Sequence, residues 1–163
     1  MKVAINPRIF LLLLSLVLTT LVFILVPPVS QDPKYHNFVD QRSFTGIPHF
    51  WNVITNIPFL VIGIIGIFKI QKQEHTGILP ELFRAYLAFF MGLVLIGLGS
   101  GFYHLNPSNA SLVGDRIAIT ITFMSFLVLI IGESISTKTA SKLLFPLIFL
   151  GLASVIYWNI TEN

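Results

Sequence analysis

Residues 85–103 read AYLAFFMGLVLIGLGSGFY, a stretch without a single charged side chain. A bilayer core about 30 Å thick needs roughly 20 apolar residues of helix to cross it, so this stretch is sized to span. Its apolar residues run on instead of alternating with polar ones, which argues for a helix and against a barrel strand. In lipid every backbone N–H and C=O must be satisfied inside the segment, and a helix does this alone. Working outward, the same reading applies upstream to Phe50–Ile70 and downstream to Ile117–Gly132 and Leu143–Trp158. The run Ile9–Val26 is broken only by Ser15, Thr19 and Thr20 and stops at Pro27-Pro28. The expectation is an all-α, polytopic integral membrane bundle of about five transmembrane helices.

Composition agrees. Apolar residues make up 55% of the 163 positions and charged residues 10%, against about 25% charged in a soluble domain. The mean hydropathy is +0.85. There is no cysteine, which excludes disulfides, thiolate metal ligands and a cysteine nucleophile. The net charge of +3 is spread through the loops and forms no basic stripe, so no nucleic-acid partner is expected.

The N-terminal run has a rival reading as a cleaved signal peptide, with Lys2 and Arg8 as its basic flank. Its length exceeds a signal h-region and Pro28-Val29-Ser30 is a poor cleavage site, so a retained anchor helix over residues 9–26 is expected. The whole chain, 1–163, reads as one membrane domain, with an outer loop over residues 28–48 and a four-helix core over residues 50–158. With five spans, Lys2, Arg8, Lys69, Lys72, Arg84, Lys138 and Lys142 share one side, and Lys34, Arg42 and Arg116 the other. The side richer in cations is cytoplasmic, so the N-terminus is expected in the cytoplasm and the Pro28–His49 loop on the non-cytoplasmic face. Trp51 and Trp158 then both fall at the outer interface, where indole rings collect.

Polar groups at membrane depth are costly and therefore candidates for function. Ser100 and His104 lie one helical turn apart on one face of the third span. After a short loop with Pro107, the fourth span opens on Asp115-Arg116, and an antiparallel hairpin returns Asp115 to the level of His104. Each residue also has a structural explanation. Gly97-x-x-x-Gly101 is a small-residue packing pattern that could account for Ser100. A histidine near the interface can be solvated, and an aspartate at a helix N-terminus is stabilised by the dipole. Asn52 and Asn56, also a turn apart, read best as hydrogen-bonding residues that fix the bundle.

The pattern Phe50-Trp51-Asn52-x-x-x-Asn56-x-Pro58-Phe59, followed by Gly97-x-Gly99-Ser100-x-x-x-His104 and then by Asp115, resembles the bacterial branch of the alkaline ceramidase family. The likeness covers roughly residues 36–160. It implies a seven-helix membrane hydrolase that cleaves the amide bond of ceramide-type lipids at a zinc ion. By the resemblance His104 would be a zinc ligand, Ser100 would help to hold the oxyanion, and Asp115 would orient or deprotonate the attacking water. Trp51, Asn52, Asn56, Tyr103 and Arg116 would form the polar cluster around substrate or scaffold. Zinc of this kind takes about three protein ligands and leaves a position for water.

The chain departs from the family in two respects. The family draws two further zinc histidines from a late His-x-x-x-His, and none occurs here; the other histidines are His36, His49 and His75. By the resemblance, residues 9–26 are an added helix, residues 50–158 match the N-terminal part of the family, and the last three core helices are missing. A truncated chain, its activity left open, is the expectation, with a missing C-terminal half or a homo-oligomer to supply what is lacking. Calcium is not expected, since Asp40 stands alone and His49 occupies the place of an acidic ligand. The reading from another class is a non-catalytic membrane protein that binds lipid or supports a partner. A carrier is less favoured, because the spans show neither paired carboxylates nor an inverted repeat.

Overall fold

The computed structural model describes residues 7–26, 30–72 and 77–161. Lys2, the Pro27-Pro28-Val29 opening of the outer loop and His75 lie outside these. The architecture is an all-α helical membrane bundle: α1 (Pro7–Leu25), α2 (Phe50–Ile54), α3 (Ile57–Gln71), α4 (Phe83–Leu105), α5 (Asn109–Ser134) and α6 (Thr137–Thr161). Four segments are long and apolar enough to cross a membrane: Phe50–Gln71, Pro80–Leu105, Asn109–Ser134 and Thr137–Thr161. The first expected span is helical over Pro7–Leu25, and its apolar part among the described residues is the shorter Leu13–Val22.

The helices α4, α5 and α6 are longer than their uncharged runs, and the largest extension belongs to α5. Ser108 caps it: its Oγ accepts from the Ser111 backbone N–H at 3.1 Å, and Ser111 Oγ accepts from the Ser108 N–H at 3.1 Å. This reciprocal capping box starts the helix well ahead of its first apolar residue. Asp115-Arg116 therefore lies more than a turn inside α5, not at its opening, and the helix dipole no longer explains a carboxylate there.

The Phe50–Gln71 span is broken between α2 and α3. Pro58 has no N–H to give the carbonyl four residues back, and its ring crowds that carbonyl. The Asn56 N–H turns instead to the Val53 carbonyl at 3.1 Å, while its side-chain Nδ2 donates to the Asn52 carbonyl at 2.7 Å. Asn56 is buried and its amide substitutes for a backbone bond within its own span.

The helices pack in chain order. α4 and α5 form the centre, α3 lies against α4 and α6 against α5. At the end away from the outer loop, Leu82, Ala85, Val128, Leu129, Ala140 and Leu144 make a buried apolar cluster. Phe59, Phe68, Phe123, Phe145 and Phe149 point outward, as expected for side chains that meet lipid. The hydrophobic effect does not draw helices together in lipid, so contact relies on close backbone approach. A Cβ on Gly63 would lie 2.7 Å from the Phe90 carbonyl oxygen and 2.8 Å from the Val94 nitrogen, and one on Gly97 2.9 Å from the Leu60 nitrogen. The α3–α4 contact thus rests on glycines in both helices.

Gly63→Leu should force α3 off the α4 backbone and lower stability by about 1–3 kcal/mol or more. Gly114→Ala, whose Cβ meets nothing within 4 Å, should instead raise stability by about 0.5–1 kcal/mol through helix propensity. Denaturant unfolding in detergent, followed by circular dichroism, reads both.

Candidate functional site

The polar residues of α4 and α5 collect at the end of the bundle beneath the outer loop. Ser100 and Asp115 are buried, and His104 is half-buried. The Ser100 side chain lies near the Asp115 carboxyl, and His104 is close enough to act on that carboxyl electrostatically. The three residues expected to converge therefore do so. Gly97 and Gly101 face the other way: Gly97 packs on Leu60, and a Cβ on Gly101 would come within 4.0 Å of the Asn56 Cβ. The small-residue pattern explains the α3 contact and leaves Ser100, on the α5 side, without that explanation.

Two buried polar atoms here have no hydrogen-bond partner among the described residues: His104 Nδ1 and Asp115 Oδ1. Burying such atoms unpaired costs about 1–3 kcal/mol each. That cost makes the two atoms candidates for chemistry more than for scaffold.

The outer loop closes over this point through Phe38. Its ring centroid is 4.7 Å from that of His104, 5.1 Å from that of His49 and 5.5 Å from that of Tyr103. Two sets of bonds hold the loop. His36 Nε2 donates to Asn109 Oδ1 at 2.8 Å, and Nδ1 pairs with the Tyr103 hydroxyl at 3.0 Å. This clasp ties the loop to the last turn of α4 and the first turn of α5. Asp40 forms the second attachment. Its Oδ1 accepts from Arg42 Nε at 2.7 Å, and its Oδ2 accepts from the Trp51 backbone N–H at 2.9 Å. Its carbonyl oxygen accepts from His49 Nδ1 at 2.7 Å, which places a proton on that ring nitrogen. The Arg42 guanidinium, and with it the Trp51 amide, holds the Asp40 carboxyl below its ordinary value of 3.8.

The chain reverses between Asp40 and His49 through Thr45 and Gly46, both left-handed, with paired bonds between Phe44 and Ile47. His49 itself is left-handed at φ 48°, a conformation that costs a non-glycine residue about 1–2 kcal/mol. The Asp40 bond and the Phe38 ring hold it there.

The remaining expected residues are more scattered. Tyr103 is buried and serves the clasp. Trp51 is exposed and contributes its backbone amide, while Asn52 contributes its carbonyl. Arg116 leaves the site: its guanidinium stacks on Trp158 at 3.7 Å and donates to Gln31 Oε1 at 2.6 Å. Sequence reasoning missed the roles of Phe38, His36 and Asp40. A carboxylate shortly before a helix that opens without a Ser, Thr, Asp or Asn cap could have flagged Asp40; Phe38 carries no spacing signal at all.

A zinc site needs about three protein donors. His104 Nδ1 and Asp115 Oδ1 are two unsatisfied donors in one place, but among the described residues no group of three His, Cys, Asp or Glu is placed to hold a metal. The residues present fit one edge of a metal site and do not complete it.

Comparison with known proteins assigns the bundle. The family model described as Ceramidase matches residues 40–162, from the Asp40 attachment through the end of α6. The chain belongs to the ceramidase family of membrane hydrolases, which act on ceramide lipids and are generally metal-dependent. No curated protein and no solved structure matches it.

Asp40→Ala should leave the Trp51 amide and Arg42 without their acceptor and speed hydrogen exchange at Trp51 by roughly tenfold. In the unaltered protein the depressed carboxyl makes this protection whole above the unfolded-state value of 3.8. It is lost as pH falls through the lower folded value. Exchange mass spectrometry across the acid range measures it.

Proposed function

We propose that this chain supplies the hydrolytic half-site of a zinc-dependent ceramidase, cleaving the amide bond of a ceramide-type lipid that enters sideways from the bilayer. The observation that carries the reading is the convergence of Ser100, His104 and Asp115, with His104 Nδ1 and Asp115 Oδ1 buried and unpartnered. Amide hydrolysis requires a base to take a proton from water and donors for the oxygen that becomes negative. Asp115 Oδ1 is the base, and the Ser100 hydroxyl, whose single proton turns away from the Asp115 carboxyl as that group takes the proton of water, donates to the developing oxyanion. Phe38 excludes bulk water from above. His104 Nδ1 is the chain's contribution to zinc, whose other donors come from a second copy or from a segment beyond the described residues.

The wider layout belongs to the same proposal. Residues 1–163 form one membrane domain, with 9–26 an anchor helix, 28–48 an outer loop and 50–158 a core matching the N-terminal part of the family. The excess of Lys and Arg on the opposite side puts the N-terminus in the cytoplasm and the site on the non-cytoplasmic face.

A second reading has its own support. The lack of a three-donor group among the described residues favours a non-catalytic ceramidase relative that binds lipid without cleaving it.

Elemental analysis of the purified full chain beside His104→Ala separates the two, with release of fatty acid from a ceramide substrate as the second readout. The hydrolase reading expects about one zinc per chain, lost in His104→Ala. It also expects activity to fall roughly 10²–10⁴-fold in Asp115→Asn. Protein free of zinc that retains ceramide without releasing fatty acid would establish the lipid-binding reading instead.

A further inference from the structure

Beside the candidate site, where α5 faces α6, lies a groove that hydrolysis does not use. It runs between α5 and α6, has a volume of about 320 Å³, and is lined by Arg116, Ile119, Thr120, Ser154, Val155 and Trp158. Its floor is apolar or weakly polar, since the Ser154 hydroxyl is spent on the Gly151 carbonyl at 2.7 Å. Its mouth is a cation. Arg116 stacks on the Trp158 ring at 3.7 Å, and one Nη2 proton goes to Gln31 Oε1 at 2.6 Å. A guanidinium has five N–H donors, and among the described residues this is the one side-chain hydrogen bond Arg116 makes. The ion pair formed among those residues joins Arg42 to Asp40. Asp115 feels the charge of Arg116 but makes no ion pair with it.

An arginine near a helix end at the membrane surface normally extends into water. This one is folded down over a tryptophan at the lip of a lipid-facing groove, where indoles mark the headgroup level. Stacking fixes the plane of the guanidinium and leaves N–H donors on its edge without a partner among the described residues, and that edge is a fork matched to the oxygens of a phosphate. A cation over an apolar groove is complementary to one kind of membrane component: an acidic headgroup on an acyl chain.

We propose that the α5–α6 groove is a binding site for an anionic phospholipid, its phosphate held by Arg116 against Trp158 and the start of its acyl chain lying along Ile119 and Val155. Ceramide carries no charge, so this lipid is not the substrate of the proposed hydrolysis, and the inference stands whichever functional reading holds.

The test is native mass spectrometry of the full chain released from detergent with equal amounts of phosphatidylglycerol and phosphatidylcholine of the same acyl composition. The expected result is one phosphatidylglycerol per chain, retained about tenfold over phosphatidylcholine, with Arg116→Gln bringing the two within about twofold. Arg116→Lys, which keeps the charge and loses the fork, should fall between them. Ile119→Trp fills the groove beneath an intact arginine and should reduce phosphatidylglycerol retention. Lys142→Gln, toward the other end of α6, should leave the preference unchanged. Equal retention of both lipids by the unaltered chain overturns the proposal, as does a preference that survives Arg116→Gln or is indifferent to Ile119→Trp. Displacement of the lipid by inorganic phosphate also overturns it, because that would mark an anion site without a lipid groove. Should Arg116→Gln fail to fold, Arg116→Lys and Ile119→Trp decide between the same outcomes.

Discussion

The fold depends on how near α4 can come to its neighbours on both sides. Lipid offers no hydrophobic reward for pressing two helices together, so contact must come from backbone proximity and from polar bonds. Gly63 and Gly97 set the approach to α3. On the other face, a Cβ on Gly92 would meet the Thr122 backbone at 3.0 Å, and one on Gly99 would lie 3.1 Å from the Gly114 carbonyl oxygen. Only because α4 and α5 run this close can a serine on one reach a carboxylate on the other. The candidate site is thus a product of the packing, placed where two helices part just enough to admit polar side chains.

The end of the bundle away from the loop shows the contrast. There the same helices meet through Leu82, Val128, Leu129 and Leu144, with small Ala85 and Ala140 between them. Polar bonding appears only sparsely, as where Tyr86 donates to Glu133 at 2.5 Å. Along α5 the transition is gradual: Thr122 and Ser125 are buried but return their hydroxyls to the carbonyls of Ala118 and Ile121. Their polarity is neutralised locally, whereas His104 and Asp115 each keep an atom with no partner among the described residues. That difference separates scaffold from candidate chemistry in this chain.

Much of this was legible in the sequence because the signals were of one kind. Uncharged runs announced the core spans, and a hairpin of two such runs was enough to bring Ser100, His104 and Asp115 together. Family motifs pointed to the same residues, and the family match covers the same region. Helix ends were less legible, because a Ser108–Ser111 capping box extends α5 through polar residues that a hydropathy reading assigns to a loop. Asn56 was expected to bridge helices and instead repairs its own span, a role visible only once the Pro58 break is known. That the long polar loop would cap the site was legible from its length and its His36, Asp40 and His49; the contacts by which it does so were not. Phe38 and His36 act through contacts across long sequence separations, and no periodicity relates them to the residues they touch. Arg116 shared a dipeptide with Asp115, yet neighbouring positions on a helix point about 100° apart and serve different faces.

The break between α2 and α3 divides the molecule mechanically. Above it, α2 is fastened to the loop through Asp40 and the Trp51 amide; below it, α3 is fastened to α4 through glycines. Across the break the backbone bond from Leu60 to Asn56 is stretched to 3.5 Å, and the Asn56 amide spans the gap on the other side. Two fastenings therefore join the cover to the membrane-embedded body, the Asn56 amide along the chain and the His36 clasp to α4 and α5. By its bonds the five-residue α2 belongs with the cover, although the sequence runs it straight into the span below.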